Sequence, residues 1–220
     1  MSDTPTSRPV IENPQSDVVL VGTAPVGGRV QQDVAEAVVA NWRSAPWPEE
    51  LLSLTVYVSS DGTSVLTYAQ WSSQDALERS LKEAGGVSDT AAVTGTEAAP
   101  PVPYRLYRAV RGSGVEDPAP VAGSFPVAFF DAADHQGARD FVDGLFAAEE
   151  AGEGDERAYP GGISANMHIS LDGTRILSFS EWVTEAQAVA HIEAVWEPLL
   201  KELGGTGLLY RHYRSLFPTA

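Results

Sequence analysis

The stretch SSDGTSVLTYAQW, Ser59–Trp71, is repeated as SLDGTRILSFSEW, Ser170–Trp182. Both stretches contain Asp-Gly-Thr and end in tryptophan, and they lie at an offset of 111 residues. Asp-Gly between two apolar, β-rich runs is the strongest short-range signal for a hairpin. A second pair, YRLYRAV at Tyr104–Val110 and YRHYRSL at Tyr210–Leu216, repeats further along the chain. The sequence therefore predicts a duplicated domain rather than an array of short repeats.

Each copy carries the same series of secondary-structure signals. An apolar run predicts a first strand, an amphipathic stretch predicts a first helix, and the hairpin predicts two further strands. A polar stretch after the tryptophan predicts a second helix, and a last strand closes the copy. This βαββαβ order is that of a ferredoxin-like unit, an antiparallel sheet with helices on one face. The predicted helices are residues 28–44, 72–86, 137–151 and 183–205.

The fold class expected from this order is α+β. We expect two tandem ferredoxin-like units that pack sheet to sheet as an intramolecular, pseudo-dimeric α+β barrel, because each sheet has a bare face for the other to cover. The predicted boundaries are a disordered tail at 1–16, a first repeat at 17–112, a Pro-containing linker at 113–122 and a second repeat at 123–220.

Composition limits the classes of function. The formal net charge of −16 disfavours binding to nucleic acid. The lack of cysteine excludes disulfides, thiolate nucleophiles and cysteine-based metal sites, and four scattered histidines predict no metal site. No apolar run approaches the roughly 20 residues of a membrane helix, and no secretory signal precedes the first repeat. We therefore expect a cytoplasmic protein that binds neither nucleic acid nor membrane.

The residues around the second tryptophan resemble the antibiotic biosynthesis monooxygenase family of the dimeric α+β barrel superfamily. The resemblance rests on the βαββαβ order, the Asp-Gly-Thr hairpin, and WVTEAQAVAH at Trp182–His191. The first repeat has WSSQDALERS at Trp71–Ser80, which lacks the final histidine. The resemblance implies a small oxygenase that acts with O2 on an aromatic, polyketide-like substrate, by anthrone-to-quinone oxidation or ring opening. It implies no tightly bound cofactor, with reduced flavin left open as a diffusing co-substrate.

The chain departs from the pattern of the anthrone oxygenases in that family. There an asparagine stands four residues before the tryptophan, where this chain has Thr67 and Ser178. A tyrosine follows six residues after it, where this chain has Leu77 and Ala188. The chain therefore has the tryptophan of the family pattern in both repeats, but it lacks the asparagine and the tyrosine that accompany it there.

Strand alternation places two candidate pockets on opposite faces of the sheet. A pocket on the helix side would lie at Trp182 or Trp71, with His191 as a general base. A pocket inside the barrel would hold Asn166, which would bind a developing oxyanion, and His168, a second candidate base. The predicted catalytic residues are His191, Trp182, Asn166 and His168, and the predicted substrate-binding residues are Trp71, Tyr57, Tyr68, Phe179 and Trp196.

Two other classes of function stay open. One is a non-catalytic ligand-binding or structural barrel, and the other is a polyketide cyclase or a haem-degrading oxygenase on the same fold. We expect a small aromatic molecule and O2 as partners. We also expect either a monomer, in which the two repeats form the pseudo-dimer, or a higher homo-oligomer.

Overall fold

The computed structural model describes four stretches of the chain: residues 10–83, 99–112, 120–151 and 159–218. The first nine residues of the predicted tail and most of the predicted linker lie outside these stretches. Residues 10–16 belong to the predicted tail, yet Ile11 among them is buried. The side-chain amide of Gln70 donates to the backbone oxygen of Val10 at 2.7 Å. This segment therefore packs on the strand that contains Gln70.

The chain divides into two compact units. Unit 1 is Met1–Tyr104 with Arg211–Ala220, and unit 2 is Arg105–Tyr210. The division falls inside the last strand of each repeat, so the units differ from the predicted repeats at that strand. The packing of the two sheets against each other stays a prediction.

Unit 1 is built around β3, whose eight residues are all buried. β3 pairs antiparallel with both β1 and β2, and β1 also pairs antiparallel with the start of β4. The α+β fold and the βαββαβ order are as predicted. The elements are β1 (Val18–Pro25), α1 (Gln31–Ser44), β2 (Leu51–Ser59), β3 (Ser64–Trp71), α2 (Gln74–Glu83) and β4 (Val102–Arg111).

Unit 2 repeats this arrangement around its own central strand, β7. β7 pairs antiparallel with β5 and β6, and β5 pairs antiparallel with β8. Within this unit the hydrogen-bonded order of the strands is β8-β5-β7-β6. The elements are β5 (Phe125–Asp131), α3 (His135–Ala151), β6 (Gly162–Ser170), β7 (Arg175–Trp182), α4 (Glu185–His191), a π-helical turn (Ile192–Trp196), α5 (Glu197–Leu203) and β8 (Thr206–Leu216).

The two Asp-Gly hairpins form as predicted, with Val58 opposite Val65 and Ile169 opposite Ile176, and they have the same hydrogen bonds. In unit 2 the carboxylate of Asp172 accepts from Ser170 Oγ at 2.6 Å and from the backbone N–H and Oγ1 of Thr174 at 3.0 and 2.8 Å. These hydrogen bonds, that from Ser170 first, hold the pKa of Asp172 at about 2. Gly173 has φ 75°, in the left-handed region that glycine enters without strain. Asp61 repeats the arrangement in unit 1.

The helix-side face of the unit 2 sheet is apolar, as strand alternation predicts. Met167 and Ile169 of β6 share this face with Ile176 of β7. Ala138, Val142 and Phe146 of α3 pack on them, and Trp196 and Leu200 of the second helical segment are partly buried against the same cluster. This cluster anchors both helical segments of the unit to the sheet.

The second helix of unit 2 differs from the single helix predicted for residues 183–205. Its ends are as expected, because Thr184 Oγ1 accepts from the Gln187 N–H and Gly204 adopts φ 73° at the C-cap. Between them the Glu197 N–H donates to the Ile192 oxygen, five residues back, in a π-helical turn. A proline in the first turn of α5 lacks the N–H that a regular α-helix would use there. Among the described residues, no helix is both long enough and apolar enough to cross a membrane.

Substituting Asp172→Ala removes the acceptor shared by three hydrogen bonds in the hairpin. We expect the free energy of unfolding at pH 7 to fall by about 1–2 kcal/mol, measured by urea denaturation. The pKa of Asp172 is lowered in the folded state, so its contribution is present above about pH 4 and is lost as the pH falls towards 2. The control is Asp131→Ala, an exposed carboxylate at the end of β5. Equal destabilisation by both substitutions would contradict this assignment.

Candidate functional site

A cavity of about 310 Å³ lies within unit 2, between the sheet and the second helical segment. One wall is formed by β5, β7 and β8, and the other by α4, the π-helical turn and α5. The volume is at the lower end of the range for small-molecule sites, about 300–1,000 Å³. The lining residues are Pro126, Val127, Ala128, Ser178, Ser180, Val189, Ile192, Glu193, Trp196, Glu197, Leu200, Gly207, Leu208 and Leu209.

Two serines of β7 are the polar groups of the sheet wall. Ser178 and Ser180 are 2% and 5% exposed, and both line the cavity. Neither hydroxyl has a hydrogen-bond partner among the described residues. A serine hydroxyl at a cavity wall can donate a hydrogen bond to a ligand oxygen or accept one from a ligand donor. These two hydroxyls are therefore groups that the fold leaves for a ligand.

Two carboxylates stand on the helix wall. Glu193 and Glu197 are four residues apart, both are exposed, and both line the cavity. Neither forms an ion pair with any residue that the structure describes. Val189 and Leu208, also lining residues, are each 37% exposed. The opening of the cavity therefore combines apolar surface with negative charge.

Trp196 is the largest side chain of the lining, and His191 holds it in place. The indole Nε1 donates to His191 Nε2 at 2.9 Å. In a regular α-helix, residues five apart would lie about 140° apart around the axis. The π-helical turn has a wider ring of backbone atoms and brings the two side chains to the same side. The irregular turn thus positions the indole as a wall of the cavity.

The imidazole of His191 lies between two other rings. Its centroid is 4.8 Å from that of Trp182 and 4.3 Å from that of Tyr159. Burial lowers the pKa of His191 to about 4, so the ring is neutral at pH 7. Because Nε2 accepts from the indole, the proton is on Nδ1, which is buried and has no hydrogen-bond partner among the described residues. His191 is therefore a positioning residue with one free N–H, an arrangement that does not favour the predicted role of base.

Trp182 contacts the imidazole from behind and does not line the cavity. It is buried, and its backbone bridges to Ser124. Its place agrees with the predicted helix-side position, but its ring supports His191 instead of facing a ligand.

Asn166 and His168 lie on the opposite face of β6 from the cavity and are fully buried. Asn166 Nδ2 donates to Ser164 Oγ at 2.9 Å and to the Phe179 oxygen at 3.0 Å, and Ser164 Oγ donates to Glu181 at 2.6 Å. His168 Nδ1 lies 3.2 Å from the Asn166 oxygen, and burial lowers the pKa of His168 to about 4. The structure joins these residues in one polar network and does not bring them to the cavity.

The predicted substrate-binding aromatics are mostly packed in the cores of their units. Phe179 is fully buried and its ring lies 6.0 Å from that of Phe125. In unit 1, Trp71, Tyr57 and Tyr68 are at most 1% exposed. Trp196 alone of the nine predicted site residues lines the cavity, with His191 and Trp182 behind it.

Sequence reasoning missed the four polar groups that line the cavity. Ser178 and Ser180 alternate with Trp182 on a strand face that is otherwise apolar, and small polar residues at such positions indicate a gap in the core. Glu193 and Glu197 stand at helical spacing beside Trp196. Both glutamates line the cavity at the π-helical turn, and no feature of the sequence predicts that turn.

Comparison with known proteins gives structural matches. No family model and no curated protein sequence matches the chain. A crystal structure of an anthrone oxidase-like protein superposes with a TM-score of 0.68 at 14% identity, covering 92% of this chain and 93% of that one. A monooxygenase-like protein from Listeria innocua gives 0.53 at 10% identity, covering 92% and 98%. A Listeria monocytogenes ferredoxin-fold protein related to antibiotic biosynthesis monooxygenases gives 0.52 at 10%, covering 93% and 96%.

These matches extend over nearly the whole of each chain. The protein therefore has the fold of the antibiotic biosynthesis monooxygenase-type proteins, as the sequence resemblance predicts. A fold of this breadth hosts many chemistries, so function has to be argued from the cavity.

The buried histidines give a prediction for pH dependence. Both folded-state pKa values are near 4, and the unfolded chain takes up these protons near pH 6.5. The free energy of unfolding is then greatest above about pH 6.5 and falls as the pH decreases to 4. Imidazole ¹⁵N NMR should show His168 and His191 neutral down to that pH, with the His191 proton on Nδ1. In Trp196→Phe the indole N–H is lost, so the His191 proton should no longer be confined to Nδ1. Titration of His191 with a pKa near 6.5 would contradict its burial.

Proposed function

We propose that the protein is a small oxygenase that oxidises an aromatic, anthrone-like or phenolic substrate with O2 in the cavity of unit 2. The observation that carries the proposal is an apolar cavity with two serine side chains, neither hydrogen-bonded to another residue that the structure describes, in the wall facing Trp196 and the helical segment. The structural similarity to an anthrone oxidase-like protein supports the same class of reaction.

The cavity suits a substrate that becomes electron-rich when it loses a proton. The hydroxyls of Ser178 and Ser180 donate to the substrate oxygen on which negative charge develops, and preorganised donors of this kind stabilise such charge strongly. Glu193 and Glu197 are the titratable groups of the lining, so one of their carboxylates takes the proton. Trp196 and the aliphatic side chains exclude water from the reacting atoms.

Oxidation then needs only O2. The carbanion transfers one electron to O2, which gives a substrate radical and superoxide. The two combine into a peroxide anion, which takes the proton back from the carboxylate and becomes a hydroperoxide. The hydroperoxide then loses water as the carbonyl forms. In sum a CH2 group and O2 become a C=O group and water, so atoms and electrons balance without another reductant.

Oxygen uptake with an anthrone tests this function. We expect the purified, metal-free protein to consume one O2 for each quinone formed. The double substitution Ser178→Ala/Ser180→Ala should lower kcat/KM by about 10–100-fold, because the developing oxyanion loses its donors. Ser124→Ala is the matched control, since Ser124 is a buried serine of the same unit that does not line the cavity. Its kcat/KM should stay within about twofold of the unsubstituted protein.

Three outcomes would contradict the proposal. No uptake above the blank would favour a non-catalytic binding protein or a cyclase. Uptake that requires reduced flavin would favour a ring-opening oxygenase, and a Soret band on mixing with haem would favour haem chemistry. Uptake unchanged in the double variant would place the reaction outside this cavity.

A further inference from the structure

We propose that the cavity of unit 2 selects its substrate by charge: it takes an aromatic of two or three fused rings that arrives without negative charge, and an ammonium group at the rim strengthens binding. This inference rests on the proposed function, because it concerns the substrate of the same cavity. The size follows from the volume, since a cavity of about 150 Å³ holds one benzene ring and this one is about 310 Å³.

The charge of the lining is one-sided. Among the residues that the structure describes, none that lines the cavity is lysine, arginine or histidine, whereas Glu193 and Glu197 both line it. Two carboxylates four residues apart on one helical segment repel each other. A cation between them would relieve this repulsion, and an incoming anion would meet both charges.

The two walls of the cavity favour different chemical groups on the ligand. Ser178 and Ser180 on the sheet wall can donate to a carbonyl or phenolic oxygen. The carboxylates on the helix wall can only accept, so they suit a donor or a cation. A substrate with an oxygen at one end and a donor at the other satisfies both walls.

The two carboxylates repel a substrate that arrives as an anion more than a substrate that becomes an anion inside the cavity. When a neutral substrate gives its proton to Glu193 or Glu197, that carboxylate becomes neutral and the total charge is unchanged. A substrate that is already anionic enters against both carboxylates. The phosphate of a reduced flavin and the carboxylates of haem are anions of this second kind, and the lining residues that the structure describes include no arginine or lysine to bind them. The cavity does not fit either group.

Binding of three matched naphthalenes tests the inference by calorimetry at low ionic strength and neutral pH. The probes are naphthol, naphthoate and naphthylmethylammonium. We expect naphthoate to bind at least about tenfold more weakly than naphthol, and the ammonium compound about threefold or more tightly. The differences should shrink at high salt, because the carboxylates are exposed.

Two variants with the same change in net charge locate the effect. Glu193→Gln/Glu197→Gln should bring the three dissociation constants within about threefold of one another. Glu49→Gln/Glu83→Gln, exposed residues of unit 1 outside the lining, should leave the spread intact. Equal binding of naphthol and naphthoate, an unchanged spread in the cavity variant, or no binding of any probe would overturn the inference. Charge-ordered binding without oxygen uptake would instead support it while contradicting the oxygenase.

Discussion

The hydrogen bond from the indole N–H of Trp196 to Nε2 of His191 is the interaction on which the site depends. A partly buried indole N–H needs an acceptor, and a neutral imidazole is one. Meeting it requires residues five apart to face the same way, which the π-helical turn provides. The imidazole must stay unprotonated at Nε2 to accept this hydrogen bond. The rings of Trp182 and Tyr159 pack around it, and burial keeps it neutral. The result is a fixed aromatic wall over the sheet.

The other wall depends on side chains that are small. Ser178 and Ser180 stand on a face where Met167, Ile169 and Ile176 otherwise fill the space under the helices. Larger apolar residues at the two serine positions would close the cavity, because protein interiors pack to a uniform density. The position of His191 is taken by Ser80 in the first repeat, so the hydrogen-bonded pair belongs to the second repeat alone. The two units have the same strand arrangement, and the side chains of unit 2 line the cavity.

The repeated hairpin made the fold predictable from the sequence. The irregular second helix of unit 2 made the site hard to predict. Asp172 and Gly173 fix a turn by local hydrogen bonds and backbone conformation, which a sequence displays directly. Strand alternation then placed Trp182 on the helix side correctly. Asn166 and His168, the predicted catalytic groups of the barrel-side pocket, form a buried network on the face of β6 opposite the cavity, and their catalytic roles stay predictions. The orientation of Trp196 depends on a π-helical turn that periodicity takes for continuous α-helix.

The most direct measurement is a crystal structure of the protein with an anthrone bound. The central claim is that the cavity of unit 2 is the substrate site, with an oxygen of the ligand on the serine hydroxyls of β7 and its rings against the indole of Trp196. Electron density for the ligand there, within hydrogen-bond distance of Ser178 or Ser180, is the predicted result. Density beside Asn166 and His168, or in unit 1 with this cavity empty, would contradict the account.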